Sequence, residues 1–153
     1  MAEQTQTLRF QGAVNLLVRG LLRLPLVSRG IGRRLITLYV VGRRSGKRYT
    51  VPVAYTWHGN EILIGTPFAW ARNLRTGSPV DVRYLGRRRT ADVRVETGES
   101  EVVAAYEVIA RDNRNFAGFN NIGYAADGTP NAEDLHRCWT QGARVIYLSI
   151  SPS

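Results

Sequence analysis

Phe10, Ala13, Val14, Leu17, Val18 and Leu21 recur at intervals of three and four, which puts them on one face of a helix over residues 10–24. Gln11, Asn15, Arg19 and Arg23 fall on the other side, and Pro25 ends the segment. A second, shorter helical pattern covers residues 26–34, weakened by Gly30 and Gly32. From Leu35 the pattern changes. Leu35–Val41 is apolar and β-branched, residues 48–57 form a second strand after a glycine-bearing turn, and His58-Gly59-Asn60 turns into a third strand at residues 61–65. These three predict an antiparallel meander. A short helix is expected at residues 69–76. A hairpin follows, with strands at 80–85 and 90–95 around Gly86-Arg87-Arg88-Arg89. Val102, Ala105, Tyr106 and Ile109 share a face of a helix over residues 101–111. Residues 113–130, rich in Asn and Gly, predict a long loop, and long loops in compact domains are often functional. A helical turn at 131–138 precedes a last strand at 143–150, in which Val145, Tyr147 and Ser149 oppose Ile146, Leu148 and Ile150. About six strands with few helices predict a closed or nearly closed antiparallel barrel, an arrangement that removes exposed edges. The chain divides into a basic amphipathic helical segment, 1–34, and a barrel domain, 35–153.

Charge placement adds a direction. The 153 residues carry a net +9. Residues 1–50 hold nine arginines and one lysine against Glu3 alone, whereas residues 51–153 balance eleven arginines with eleven acids. All the excess therefore lies in the first third. Twenty of the 21 basic residues are arginine, whose planar fork matches phosphate and carboxylate. An acidic partner is implied: a phosphorylated cofactor, an anionic lipid surface or nucleic acid. No apolar run is long enough for a membrane-spanning helix, and Arg19 and Arg23 interrupt what would be the core of a secretory signal. A single cysteine, Cys138, excludes an internal disulfide and agrees with a cytoplasmic setting.

The sharpest local feature is Gly42-Arg43-Arg44-Ser45-Gly46-Lys47, followed by Arg48, between two strands. Glycines let the backbone turn tightly, and successive amides in such a turn can form an anion-binding nest. A solvated basic hairpin is the other explanation. The spacing is not that of a Walker loop. The second feature is Trp70-Ala71-Arg72-Asn73-Leu74. Trp70, Asn73 and Leu74 share a helical face, so an indole could lie on a flat ring while the amide bonds its edge. Alternatively Trp70 and Leu74 are core and Asn73 caps a neighbouring loop. His58, His136 and Cys138 are the only histidines and cysteine and lack zinc-site spacing, so no metal is expected. With no catalytic His, Cys or carboxylate cluster, an enzyme of this sequence would carry its reactive atom on a cofactor.

Taken in order, LYVVGRRSGKRYTVPV (residues 38–53) and GTPFAWARNLRTGSPVDV (residues 65–82) resemble two segments of the deazaflavin-dependent nitroreductase family. The resemblance covers residues 35–95 well and the flanks loosely. It implies a split β-barrel, mainly β with peripheral helices, that uses coenzyme F420 for hydride transfer to a small electron-poor acceptor such as an enone, quinone or nitro compound. Carried over, Gly42, Arg43, Arg44, Ser45, Gly46 and Lys47 would hold the phosphate and acidic tail. Pro52 would line the ring slot, with Thr66, Trp70 and Asn73 closing its other side. The arginine that usually follows this loop falls here at Arg48, with Tyr49 in its place, and the stretch from Gly65 to Trp70 is short. Tyr124 and Tyr147 are candidates for the catalytic proton donor.

Two other readings stay open. One is a split barrel that binds flavin mononucleotide. The other is a basic module without catalysis, held peripherally at the inner face of an anionic membrane by the N-terminal helix. That helix could equally cap one end of the barrel. Nucleic-acid binding is not expected, since Tyr49 is the only aromatic near the basic loop. Monomer and homodimer are both compatible with the sequence.

Overall fold

The computed structural model describes residues 34–150. The two expected N-terminal helices, and with them the membrane-facing or barrel-capping segment, lie outside the described residues apart from Arg34. The strands are β1 (Leu35–Val41), β2 (Arg48–Ala54), β3 (Thr56–His58), β4 (Glu61–Thr66), β5 (Val80–Tyr84), β6 (Arg87–Glu96) and β7 (Arg144–Ile150). A short 3₁₀ helix, Ala69–Asn73, follows β4. The α-helices are α1 (Glu99–Asp112), α2 (Arg114–Phe119) and α3 (Ala132–Thr140).

All pairings are antiparallel, in the order β2-β1-β5-β6-β7-β4-β3. The two edge strands, β2 and β3, are separated in sequence by Tyr55 alone. The sheet must therefore curl until its edges meet at that residue, which is the split-barrel architecture. The expected strand at 48–57 is thus one long strand bent at Tyr55, one half pairing β1 and the other β4. The meander is corrected accordingly. β1 and β2 do pair, but β4 lies at the far side of the sheet, between β3 and β7. Local alternation cannot reveal this, because partner choice depends on the curl of the whole sheet. The bend is pinned from outside. Tyr55 N donates to Arg34 O (2.9 Å), and Thr56 Oγ1 donates to the Asp112 carboxylate (2.8 Å), which also pairs with Arg34.

Side-chain alternation sends Ile36, Leu38 and Val40 of β1, Ile62 and Ile64 of β4, Val80 and Val82 of β5, and Ile146 and Leu148 of β7 into the barrel interior, where Trp70 and Leu74 join them. Each such large apolar side chain contributes about 1.5–3 kcal/mol on burial. The outer face of β4 and β7 carries a second core. There Leu63 and Val145 meet Val102, Ala105, Tyr106 and Ile109 of α1, with Leu135 and Cys138 of α3. Glu99 and Glu101 in the first turn of α1 complement its dipole.

Two further expectations are revised. The segment 113–130 is not all loop: Asn113 accepts from Asn115 N (3.0 Å) and Phe116 N (3.2 Å), capping α2, and Tyr124 bridges to Pro130. Its Asn-rich composition is partly capping chemistry rather than loop. The hairpin turn is only Leu85-Gly86, with Tyr84 paired to Arg87, so Arg87, Arg88 and Arg89 belong to β6. Both turn residues have positive φ, 50° at Leu85 and 80° at Gly86, in a two-residue hairpin that favours Asn-Gly. Leu85 is 74% exposed and has little packing to lose. Leu85→Asn is expected to stabilise the protein by about 1 kcal/mol, seen as a melting point raised by about 3 °C. An unchanged or lower melting point would contradict this.

Candidate functional site

One end of the barrel gathers the ends of several elements. β1 runs toward it and ends in the loop at Gly42; β4 ends there at Thr66; the 3₁₀ helix follows directly; and β7 begins there at Arg144, paired with Thr66.

The loop is internally braced. Gly42 N donates to Lys47 O (2.7 Å), Gly46 N donates to Gly42 O (3.0 Å), and Lys47 N donates to Ser45 Oγ (3.2 Å). Gly46 has φ +70°, a left-handed conformation that favours glycine. A Cβ on Gly42 would lie 2.8 Å from Ser45 Oγ and 3.3 Å from the Tyr49 ring, so that glycine lets the loop fold on itself. Among the described residues, the amides of Arg44 and Ser45 make no hydrogen bond, and the exposed side chains of Arg43, Arg44, Lys47 and Arg48 have no carboxylate partner. The loop thus offers two unspent amides and a fan of cations, the components of an anion cradle.

The second motif touches the first. Asn73 Oδ1 accepts from Arg43 N (3.0 Å), across thirty residues of sequence, while Asn73 Nδ2 donates to Trp70 O (3.1 Å). The 3₁₀ helix is itself positioned by Thr66, whose Oγ1 accepts from Phe68 N (3.1 Å). Trp70 is 6% exposed and packs in the barrel interior beneath the mouth, with Leu74 beside it. Asn73 therefore ties a core-anchored turn to the basic loop. Asn73→Ala should leave the core intact but release Arg43 N. Affinity of the loop for an inorganic pyrophosphate probe is expected to fall about fivefold to tenfold, with a melting-point change of no more than about 3 °C. Unchanged affinity would show that the loop holds its shape without the clamp.

The remaining sequence candidates lie elsewhere. Pro52 is opposite Thr37 on the outer face of β2, an edge strand that tolerates its missing N–H. Tyr147 alternates with the inward Ile146 and Leu148, and so faces outward, under the Arg94 guanidinium at 3.7 Å. Tyr124 donates its hydroxyl proton to Ala110 O of α1. Both tyrosines belong to the helix-covered side of the sheet and are not brought to the loop. Cys138 is buried, and burial pushes its thiol pKa up, away from a reactive thiolate. Among the described residues no three His, Cys, Asp or Glu side chains are grouped to hold a metal.

Sequence reasoning missed Arg72 and Arg144. Arg144 occupies the inward-facing register on β7, two residues before Ile146 and directly across from Thr66. Burial first, then the like charges of Arg72 and Arg43, pull its pKa below the ordinary value. An arginine in phase with the apolar positions of the last strand was the signal available.

No family model and no curated protein matches the chain. Solved structures do. The heme storage protein HutZ of Vibrio cholerae superposes with a TM-score of 0.51 at 15% identity, covering 84% of this chain and 90% of its own. The conserved hypothetical protein Rv2991 of Mycobacterium tuberculosis gives 0.50 at 12% identity, covering 85% and 81%. An F420 reductase matches at 0.41 and 13% identity, covering 78% and 88%, a likeness too weak to bear an argument. At these identities the first two establish the fold alone.

Proposed function

We propose that this chain is an oxidoreductase that binds coenzyme F420 at the barrel mouth and delivers hydride from it to a small electron-poor acceptor. The observation that carries the reading is the Asn73–Arg43 hydrogen bond, which joins the two motifs that resemble the deazaflavin-dependent nitroreductases. The loop suits a phosphate: its glycine backbone is folded tightly enough for close approach, two amides are unspent, and the surrounding side chains are cationic. Gly42, Arg43, Arg44, Ser45, Gly46 and Lys47 would hold the phosphate and the acidic tail. Asn73 would bound the ring at the 3₁₀ helix, on a turn held from beneath by the buried Thr66 and Trp70.

When bound in reduced form, the coenzyme supplies a hydride from C5 of its deazaflavin ring. The chain's contribution is orientation and electrostatics. Asn73 fixes the loop relative to the 3₁₀ helix. Thr66 Oγ1, buried at the end of β4, accepts from Phe68 N and so fixes where the 3₁₀ helix starts. Arg144 and Arg72 raise the potential at the mouth, favouring negative charge that develops on an acceptor oxygen.

The activity test is anaerobic. Reduced coenzyme is mixed with a quinone, an enone or a nitroaromatic, and the return of oxidised-deazaflavin absorbance is followed. Native protein should accelerate at least one of these reactions tenfold or more over heat-denatured protein. Equal rates with all three acceptors would refute the proposal.

A further inference from the structure

We propose that the far end of the barrel, away from the basic loop, is a docking surface for an anionic lipid membrane, into which Leu85 and Trp57 insert. Nothing in this role depends on a coenzyme.

Three aromatic residues floor that end. Tyr55 sits at the bend between β2 and β3, Trp57 pairs with the inward Ile62, and Tyr84 continues the inward alternation of Val80 and Val82. Their rings meet edge to face, with centroids 5.8, 6.0 and 6.1 Å apart. Tyr55 is buried, whereas Trp57, on a core-facing register, is 48% exposed. Leu85 follows Tyr84 at the hairpin tip and is the most exposed large apolar side chain among the described residues. Arg83 holds the turn from beneath, donating to Gly86 O (3.1 Å) and to the Tyr39 hydroxyl (3.1 Å). Leucine at φ +50° costs stability that asparagine or glycine would not. A residue that costs stability and buries little within its own fold is placed for contact outside it.

Charge selects the occupant. Arg83 and Arg87 flank the tip and have no carboxylate partner among the described residues. The carboxylates of Asp81, Glu61 and Asp112 are paired with Arg88, Arg94 and Arg34. The chain also enters the fold here: Arg34 O accepts from Tyr55 N, so residues 1–33 attach beside the aromatic floor. That segment carries five arginines against Glu3 alone, with an apolar periodicity of its own. Two basic surfaces repel, which argues against the segment covering the patch. A second copy of the chain would likewise set Arg83 and Arg87 against their like. An anionic bilayer suits both surfaces at once. Its headgroups take the guanidinium groups, and its interface takes an indole and a leucine.

The experiment uses the full chain with two kinds of vesicle at moderate salt: phosphatidylcholine alone, and phosphatidylcholine with about one third phosphatidylglycerol. The wild type should bind the anionic vesicles about tenfold more tightly than the neutral ones, or better. Leu85→Asn should weaken that binding about tenfold while raising the melting point, so its loss cannot come from unfolding. Arg87→Met should weaken it about fivefold. Val41→Thr, at an apolar residue 54% exposed beside the basic loop, is the control and should bind as the wild type does. Brominated lipid should quench the tryptophan emission of the wild type. Most of that quenching should be absent in Trp57→Phe, because Trp70 lies in the barrel interior and Trp139 on the helix-covered side. No binding by the wild type, equal binding to both vesicles, undiminished binding in Leu85→Asn, or quenching that survives in Trp57→Phe would overturn the proposal. Undiminished binding in Leu85→Asn would assign membrane contact to residues 1–33 instead. A smaller oligomer in Leu85→Asn, with no vesicle binding by the wild type, would assign the patch to a second copy.

Discussion

Arg44→Ala and Lys47→Ala should each weaken coenzyme F420 binding about tenfold to a hundredfold, at low and at moderate salt alike. Each removes a side chain that would engage the phosphate or acidic tail through charge-assisted hydrogen bonds, worth roughly 1.5–3 kcal/mol apiece. Arg87→Ala, on the hairpin at the opposite end of the barrel, is the control. It alters only the general potential around the protein, and moderate salt screens that contribution. Losses of similar size in all three variants, vanishing with salt, would mean that the loop is merely a basic turn. The melting point without coenzyme should barely move in any of them, because exposed turn charges contribute little to folding.

The second large effect is structural. Gly65→Ala should destabilise the protein by about 1–3 kcal/mol. A Cβ at Gly65 would lie 2.6 Å from Tyr106 Cε1 and 3.1 Å from Phe116 Cζ. Tyr106 cannot step aside: it is fully buried between β4 and α1 and packs edge-on against Phe116 at 5.0 Å. The glycine thus sets how closely α1 lies on the sheet. Tyr106→Phe is the informative companion. The Tyr106 hydroxyl is buried with no hydrogen-bond partner among the described residues. Removing it should leave stability unchanged or raise it by about 1 kcal/mol, since an unsatisfied buried hydroxyl is costly. Thermal denaturation of both variants checks the pair. A wild-type melting point in Gly65→Ala, or a marked loss in Tyr106→Phe, would contradict this packing.

Much of the fold was legible because its signals are local. The alternation of Ile36, Leu38 and Val40, and the helical spacing of Val102, Ala105, Tyr106 and Ile109, each mark a buried face without reference to the rest of the chain. Partner choice was not local. Nothing in residues 48–58 shows that the strand bends at Tyr55 and serves both sheet edges. The helix over Arg114–Phe119 was missed for another reason: six residues are too few for periodicity to stand out, and its cap, Asn113, reads as loop composition.

At the site, glycine spacing and clustered charge exposed the loop, while the Trp70–Asn73 spacing identified the second motif. The weighing of Trp70 as core against Trp70 as ring clamp turned on burial, which a single sequence does not encode. It packs in the core, and Asn73 does cap a neighbouring loop, the basic loop itself. Arg72 and Arg144 escaped notice because one lies inside a motif read for its Trp and Asn, and the other opens a strand read for its apolar residues.

Fluorescence titration of the purified protein with oxidised coenzyme F420, and in parallel with flavin mononucleotide, tests the central claim most directly. The loop and the flanking arginines offer more positive charge than one phosphate requires, so the coenzyme with the longer acidic tail should bind more tightly, by about tenfold or more. Equal affinities, or tighter binding of flavin mononucleotide, would contradict the assignment.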